Sequence, residues 1–234
     1  MLEHVGLLRG PALWILSRRQ PDQVELDGCT YRVHPRDFGV TLELHSTGEY
    51  ESGTRQFLLT SLKPGMTFID IGAHVGLFAI PAAKLVGPSG RVFAFEPNPS
   101  NRELLEANIA ANGVENITVV PKAVSDCNDR MRLHCSPYNT GDHQLYYSGR
   151  GRRSVEVEVV RLDEFMEQHG GAVDLVKMDV QGAEARVLKG MHELMTANDG
   201  VVLVVELSPW MLRDIGDDPM AMLDDLVEHG FVLG

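Results

Sequence analysis

A glycine-rich turn between two apolar segments constrains the fold of this chain more than any other feature. The run 66–71 is apolar apart from Thr67 and Asp70, and the turn GAHVG follows it at 72–76. The next apolar run, 91–95, ends at Glu96. A strand, a tight turn, an amphipathic helix and a second strand in this order form the first βαβ unit of a nucleoside-binding parallel sheet.

The spacing of the two glycines distinguishes between cofactor classes. A dinucleotide turn has the pattern Gly-x-Gly-x-x-Gly, whose middle glycine faces a pyrophosphate. Here three residues separate Gly72 from Gly76, and Asp70 precedes them. We expect the glycines to let backbone N–H groups approach a ligand, Asp70 to hold an ammonium group, and Glu96 to accept hydrogen bonds from two ribose hydroxyls. The turn therefore favours S-adenosylmethionine (SAM) over NAD, although Asp70 also suits a simple Asx turn.

Further motifs occur in the order found in one methyltransferase family. They are Phe95-Glu96-Pro97, Ala123-Val124-Ser125-Asp126, Asn139-Thr140-Gly141, Arg161-Leu162-Asp163 and the run VKMDVQGAE at 176–184. With these motifs the chain resembles the FkbM-type methyltransferases from about Glu49 to near its end, and the last motif is the most distinctive. The resemblance implies a class I SAM-dependent fold and methylation of a hydroxyl group.

The order of the apolar runs predicts an α/β fold. Strands are expected at 66–71, 91–96, 116–121, 173–178 and 200–206, and helices at 49–62, 75–86, 98–112, 163–169, from about 180 through Leu194, and 219–228. Such alternation builds a Rossmann-like parallel sheet with helices on both faces. A β insertion after the third core strand, at 126–160, contains two alternating runs and is expected to shape a substrate pocket.

The N-terminal segment predicts a cover for this sheet. Residues 7–16 are apolar but interrupted by arginine, glycine and proline, and they lack a cleavage signal, which predicts a helical arm and not a signal peptide. Residues 23–33 predict a β-hairpin that 40–44 could extend. We therefore expect 1–48 to form an arm and β cover within the same domain as a SAM-binding methyltransferase unit at 49–234.

Composition narrows the function classes. The chain has 21 Lys and Arg against 33 Asp and Glu, a net charge of −12 that disfavours nucleic acid as a partner. It contains no apolar stretch of about 18 residues that would span a membrane. Cys29, Cys127 and Cys135 lack metal-ligand spacing and fit a reducing, cytoplasmic setting. A sixth strand is expected to begin at 231–233 without a seventh to follow, so homo-oligomer formation stays open.

We assign the cofactor to residues around the first two strands and after the third. Asp70 and the Gly72–Gly76 turn would hold the methionine end of SAM, and His74 would pack beside it. Pro97 and Asn98 would flank the adenine. The family resemblance adds Ala123 and Val124, after the third strand, to this group. It also implies cofactor contacts from Glu51 and Thr54, before the first strand. The predicted cofactor-binding residues are Glu51, Thr54, Asp70, Gly72, Ala73, His74, Gly76, Glu96, Pro97, Asn98, Ala123 and Val124.

The acceptor is expected to meet carboxylates at the strand ends. Four strands end in or near an acid, namely Asp70, Glu96, Asp179 and Glu206. Asp179 and Glu206 would face a hydroxyl, either as base and orienter or as two ligands of Mg²⁺. His143 in the insertion is a second candidate base, and Asp142 could be the functional member instead.

Together these observations predict a SAM-dependent O-methyltransferase. The expected acceptor is a hydroxyl on a sugar, a polyketide or a glycolipid-like small molecule. A non-catalytic SAM-binding protein and an NAD-dependent oxidoreductase are the alternatives. Lys177 and Glu184 are expected to pair or cap structurally.

Overall fold

The computed structural model describes residues 22–147, 149 and 151–234, so the predicted helical arm at 7–16 lies outside the described residues. In chain order the strands are β1 (Gln23–Leu26), β2 (Cys29–Arg32), β3 (Thr67–Ile71), β4 (Arg91–Phe95), β5 (Ile117–Val120), β6 (Lys122–Val124), β7 (Asp129–Cys135), β8 (Arg153–Val160), β9 (Leu175–Met178) and β10 (Val202–Val205). The helices are α1 (Val40–Thr47), α2 (Ser52–Ser61), α3 (Ala79–Val86), α4 (Pro99–Ala111), α5 (Leu162–His169), α6 (Glu184–Lys189), α7 (His192–Ala197), α8 (Pro209–Asp214) and α9 (Pro219–Glu228).

A wholly parallel sheet of order β10-β9-β3-β4-β5 forms the centre. Because side chains alternate along a strand, Ile69 and Ile71 face a core shared with α5 to α9, whereas Phe68 faces a second core shared with α2, α3 and α4. Helices therefore cover both faces. The predicted Rossmann-like class I fold is confirmed, and each predicted core strand lies within three residues of its expected bounds.

The predicted hairpin is present, but its expected extension is wrong. Strands β1 and β2 pair in antiparallel fashion, while 40–44 belongs to α1. The carboxylate of Asp37 accepts hydrogen bonds from the N–H groups of Gly39 and Thr41 at 3.0 and 2.8 Å, which stabilises the first turn. The buried residues Val40 and Leu44 are four apart, which matches a helix as well as a strand.

The two strands of the insertion, β7 and β8, form a second sheet with β6, which precedes the insertion, in the order β6-β8-β7. Strands β7 and β8 pair in antiparallel fashion, as their alternating sequences predict. The segment between them folds back over the central sheet: Asp37 accepts a hydrogen bond from the Thr140 N–H at 3.1 Å, and Asn101 donates one to the Thr140 carbonyl at 3.1 Å. These bonds fix the segment above the carboxyl ends of the central strands.

Three C-terminal expectations need correction. The helix expected through Leu194 is two helices, separated at Gly190 and Met191, where the chain passes so close to Ser125 that a Cβ on Gly190 would lie 2.0 Å from the Ser125 carbonyl oxygen. Helix α8 was not predicted. The strand expected at 231–233 does not form: after Gly230 (φ 87°) the chain folds back onto α9, and Val232 is exposed. In the part of the chain that the structure describes, no helix is long and apolar enough to span a bilayer.

Candidate active site

The carboxyl ends of the central strands form one edge of a cleft. Glu96, Asp179 and Glu206 directly follow β4, β9 and β10, and their N–H groups continue the ladder to the neighbouring strand at 3.1, 3.0 and 3.0 Å. Asp70 lies one residue inside β3. The cleft contains about 750 Å³ of empty space, including its open mouth, and its walls come from the strand ends, the glycine turn and the insertion.

The glycine turn is held by contacts within the protein. Gly72 and Gly76 have φ of 82° and 93°, which other residues adopt only with strain. A Cβ at Gly72 would lie 2.1 Å from the Asp179 carbonyl oxygen, and one at Gly76 would lie 2.8 Å from Leu105. Glycine is therefore required for packing of the chain, a reason that differs from the ligand approach expected from sequence. Gly72, Ala73 and His74 line the cleft.

Glu96 is the best-defined ligand acceptor in the cleft. Its side chain is buried, and one oxygen accepts a hydrogen bond from the His74 N–H and the other from the Asn98 N–H, both at 2.8 Å. Burial raises the pKa of Glu96 to about 7, although both N–H bonds lower it. Each oxygen retains a second lone pair, which suits a pair of vicinal hydroxyls.

The predicted adenine-flanking residues divide into two groups. Pro97, Ala123 and Val124 line the cleft together with Phe95, so they form the apolar wall that a purine needs. Asn98 instead caps α4, where its side-chain oxygen accepts hydrogen bonds from the first-turn N–H groups of Ser100 and Asn101. Among the described residues, neither Asn98 nor Thr54 is part of the cleft wall.

Asp70 lies behind the cleft wall and faces Lys177. The parallel register of β3 and β9 places these two residues side by side, with the Lys177 ammonium 3.7 Å from an Asp70 oxygen. Asp70 is fully buried, and neither oxygen has a hydrogen-bond partner among the described residues. Burial raises the pKa of Asp70 to about 6, and Lys177 partly opposes this. Lys177 also lies over the Phe78 ring at 4.9 Å.

Lys177 connects Asp70 to a second group of acids. Its ammonium is 3.8 Å from Asp179, whose other oxygen accepts a hydrogen bond from the Gln181 amide at 2.5 Å. Oxygen atoms of Glu51, Asp179 and Glu206 lie within 4.8 Å of one another. Partial burial and the neighbouring Asp179 carboxylate, with which Glu206 shares a hydrogen bond, raise the pKa of Glu206 to about 8. Glu206 is therefore largely protonated at pH 7 and donates its hydrogen bond to the Asp179 carboxylate.

His143 lies in the cleft with a fixed orientation. Its Nδ1 accepts a hydrogen bond from the Ser136 N–H at 3.2 Å. Since Nδ1 is the acceptor, the neutral ring carries its proton on Nε2 and presents a donor to the cleft. Burial lowers the pKa of His143 to about 4, so the ring is neutral at pH 7. Asp142 is paired with Arg152 at 2.6 Å instead of facing the cleft.

Sequence reasoning missed several residues of the cleft. The Thr140 hydroxyl shares a hydrogen bond of 2.8 Å with Nε2 of the His74 ring. Burial lowers the pKa of His74 to about 3. Tyr50, Lys122 and Leu133 also line the walls. The Asn139-Thr140-Gly141 motif was a signal for Thr140. Glu184 is buried away from the cleft and accepts the Gly182 N–H at 3.0 Å, as a structural cap would.

Comparison with known proteins assigns the family. The sequence model of the methyltransferase FkbM domain matches residues 70–233. The chain belongs to the FkbM methyltransferase family. It is 29% identical to the 2-O-methyltransferase NoeI of Sinorhizobium fredii over 61% of this chain and 64% of NoeI. It is 30% identical to the 31-O-demethyl-FK506 methyltransferase FkbM of Streptomyces tacrolimicus over 56% of this chain and 62% of that protein.

The chain thus spans less than two thirds of the length of these two relatives. Among solved structures, precorrin-6y C5,15-methyltransferase from Geobacter metallireducens aligns with 80% of this chain and 76% of its own length, at 17% identity and a TM-score of 0.49.

The residues of the cleft fit the SAM that methyltransferases of this fold use. The Glu96 carboxylate has free lone pairs for a ribose diol, and an apolar wall stands beside it for a purine. The carboxylates of Asp70, Asp179 and Glu51 outnumber the single ammonium of Lys177 that lies among them, which leaves negative charge for a cationic ligand.

Proposed function

We propose that this protein transfers a methyl group from SAM to a hydroxyl group of a small molecule, a sugar or polyketide in class. One observation carries the proposal: Asp179, held between Lys177 and Glu206, faces the same cleft as the Glu96 carboxylate, which would bind the ribose of SAM. The names of the relatives NoeI and FkbM both specify O-methylation and support a hydroxyl acceptor.

The residues of the chain would position the acceptor and remove its proton. When bound, SAM supplies a methyl group that is already electrophilic, so alignment and proton removal are the tasks left to the protein. Asp179 is the carboxylate that takes the hydroxyl proton, and Glu206 donates a hydrogen bond to it. His143 donates from Nε2 to the acceptor oxygen and orients it, because its Nδ1 is engaged by Ser136. This role for His143 replaces general-base action with positioning.

The decisive experiment separates chemistry from cofactor binding. Purified protein is incubated with SAM labelled in the methyl group and a panel of monosaccharides, disaccharides and hydroxylated macrolides. Asp179→Asn should reduce turnover by about a hundredfold to ten-thousandfold, while S-adenosylhomocysteine (SAH) binds within a few-fold of wild type. Asp199→Asn, an exposed acid, is the matched control. Normal turnover in Asp179→Asn, or no transfer to any hydroxyl compound, would overturn the proposal.

A divalent cation is the second candidate for the same acids. Glu51, Asp179 and Glu206 each offer an oxygen, the ligand type that Mg²⁺ prefers. The Lys177 ammonium already lies beside Asp179 and competes for its charge. We therefore expect turnover to be unchanged by EDTA. Loss of activity that added Mg²⁺ restores would assign the three acids to a metal instead.

The contacts of the N-terminal hairpin support one domain. The side chain of Asn108 in α4 accepts the N–H group of Arg32 at 2.7 Å, and that of Asn112, directly after α4, accepts the N–H group of Thr30 at 3.1 Å. Arg55 in α2 pairs with Asp27 in the hairpin turn at 2.5 Å. We propose that residues 22–48 belong to the methyltransferase domain and act as its cover.

A further inference from the structure

A second concavity lies beside the cleft, between the insertion and α8. It contains about 420 Å³ of empty space, including its open mouth. Its walls combine aromatic and polar side chains: Gln144, Tyr146, Tyr147, Arg152, Trp210, Met211, Asp214 and Ile215.

This aromatic pocket shares a wall with the cleft. Along the segment 143–146, His143 and Leu145 line the cleft, while Gln144 and Tyr146 line the aromatic pocket. The α8 wall of the aromatic pocket also lies close to the cleft. Met211 in α8 packs against Gly182, three residues after Asp179, and a Cβ at Gly182 would lie 2.8 Å from the Met211 Cβ. A ligand that extends from the cleft over His143 would enter this pocket.

Trp210 provides the free aromatic surface of the pocket. The Tyr146 and Tyr147 rings are already covered, with the Arg186 guanidinium 5.2 Å and the Arg152 guanidinium 4.6 Å from their centroids. Trp210 is 60% exposed, and no ring or guanidinium of the described residues stacks on its indole. Asp214, one turn along α8, is exposed and makes no hydrogen bond or ion pair with the described residues.

We propose that the aromatic pocket binds a saccharide unit of the acceptor, adjacent to the unit whose hydroxyl is methylated. A pyranose presents C–H groups on one face, which pack on an indole, and hydroxyls at its edge, which hydrogen-bond to carboxylates such as that of Asp214; the Gln144 amide nitrogen already donates to Asp142 at 2.7 Å and holds that wall in place. A purely apolar ligand would remove these polar groups from water without replacing their hydrogen bonds. The mixed lining therefore favours a sugar, and the inference rests on the proposed function.

The first test is binding, measured without turnover. The chain has two tryptophans, and Trp14→Phe leaves Trp210 as the single indole fluorophore. In this background the full chain, saturated with SAH, is titrated with glucose, galactose, glucuronic acid, N-acetylglucosamine and their β-linked disaccharides. We expect at least one disaccharide to change the Trp210 emission and to bind more tightly than its monosaccharide.

The second test is the effect of the indole on acceptor affinity. Trp210→Ala should weaken binding of that disaccharide, or raise its KM, by about threefold to tenfold, with kcat and SAH affinity unchanged. Trp210→Phe should retain most of the affinity. Phe57→Ala, which removes another exposed aromatic residue from α2, is the control and should have no effect.

Several outcomes would overturn the inference. They are a Trp210 emission that no saccharide changes, a response to apolar alcohols only, or a Trp210→Ala variant that changes the oligomeric state but not the KM. The two proposals fail separately. Methyl transfer that is indifferent to Trp210 removes the subsite alone, whereas saccharide binding at Trp210 without methyl transfer to any hydroxyl removes the proposed function and leaves a saccharide site that is not part of an acceptor site.

Discussion

Replacing Glu96 with alanine removes an acceptor from two N–H groups and from the bound cofactor at once. The N–H groups of His74 and Asn98 each donate to Glu96 at 2.8 Å, and the side chain is 5% exposed. Each unsatisfied N–H costs about 1–3 kcal/mol, although water entering the open cleft recovers part of it. We therefore expect Glu96→Ala to lower the free energy of unfolding by about 2–4 kcal/mol.

The same change should weaken cofactor binding. Hydrogen bonds to a charged acceptor contribute about 1.5–3 kcal/mol, so the Kd of SAH should rise by about tenfold to 150-fold. Isothermal titration calorimetry measures this on protein shown to be folded by urea denaturation. Glu103→Ala, an exposed acid on α4, is the matched control for both quantities. An SAH affinity within twofold of wild type in folded Glu96→Ala would refute the assignment of Glu96 to the ribose.

The raised pKa of Glu96 adds a pH test with a defined sign. With a pKa of about 7 the carboxyl is protonated below pH 7, so SAH affinity should rise from pH 6 to pH 8 and then level off. The stability of the ligand-free protein has the opposite pH dependence. Stability from a group whose pKa is raised on folding is present below the unfolded pKa, and it is lost as pH rises through about 7. Glu96→Ala should lose both dependences.

Two further variants test the packing of the site. Gly72→Ala should destabilise the fold by at least about 3 kcal/mol, because its Cβ would lie 2.1 Å from the Asp179 carbonyl oxygen, whereas Gly48→Ala, also at positive φ but with open space around it, should cost about 1 kcal/mol in the same urea titration. Lys177→Met leaves Asp70 buried without its cation, so the loss should approach about 3–5 kcal/mol at pH 8 and be smaller at pH 5.5, where Asp70 can protonate; Lys189→Met is the exposed control, and an equal loss at both pH values would contradict the pairing.

The central sheet could be predicted because its strands are buried on both faces. Continuous apolar runs such as that of β3 have few other solutions, and the carboxyl ends of parallel strands must share one edge. The segment at 40–44 was mistaken because five residues of mixed polarity satisfy a strand and a helix equally, and the segment at 231–233 because three residues are too few to specify a strand. Their structure depends on Asp37 in one case and on packing against α9 in the other, and neither is visible in local periodicity.

Several residues of the candidate site could be predicted from the sequence, but the contacts between them could not. Glu96, Asp179 and His143 line the cleft as expected, since strand ends and the insertion meet there. Asn98 was read as a cofactor residue but caps α4, because Asn before Pro99 is also a typical helix start. Lys177 was expected to pair structurally, but its partner Asp70 could not be named, because the pairing of β3 with β9 that brings them together follows from topology and not from sequence spacing.

The orientation of the His143 ring favours Asp179 over His143 as the base. The ordinary pKa of an imidazole makes histidine a common base near neutral pH, and His143 lies in the cleft. A backbone N–H can only donate, so the bond from Ser136 to Nδ1 requires that Nδ1 be unprotonated and that Nε2 carry the hydrogen. To accept a proton from the acceptor, the ring would have to break that bond or become a cation in a buried position that lowers its pKa to about 4. Asp179 is a carboxylate that accepts a proton without a change of tautomer, and one of its oxygens already accepts the Gln181 amide at 2.5 Å. We therefore propose that His143 donates to the acceptor oxygen and that Asp179 removes its proton, and the rate of an Asp179→Asn enzyme is the quantity that tests this division.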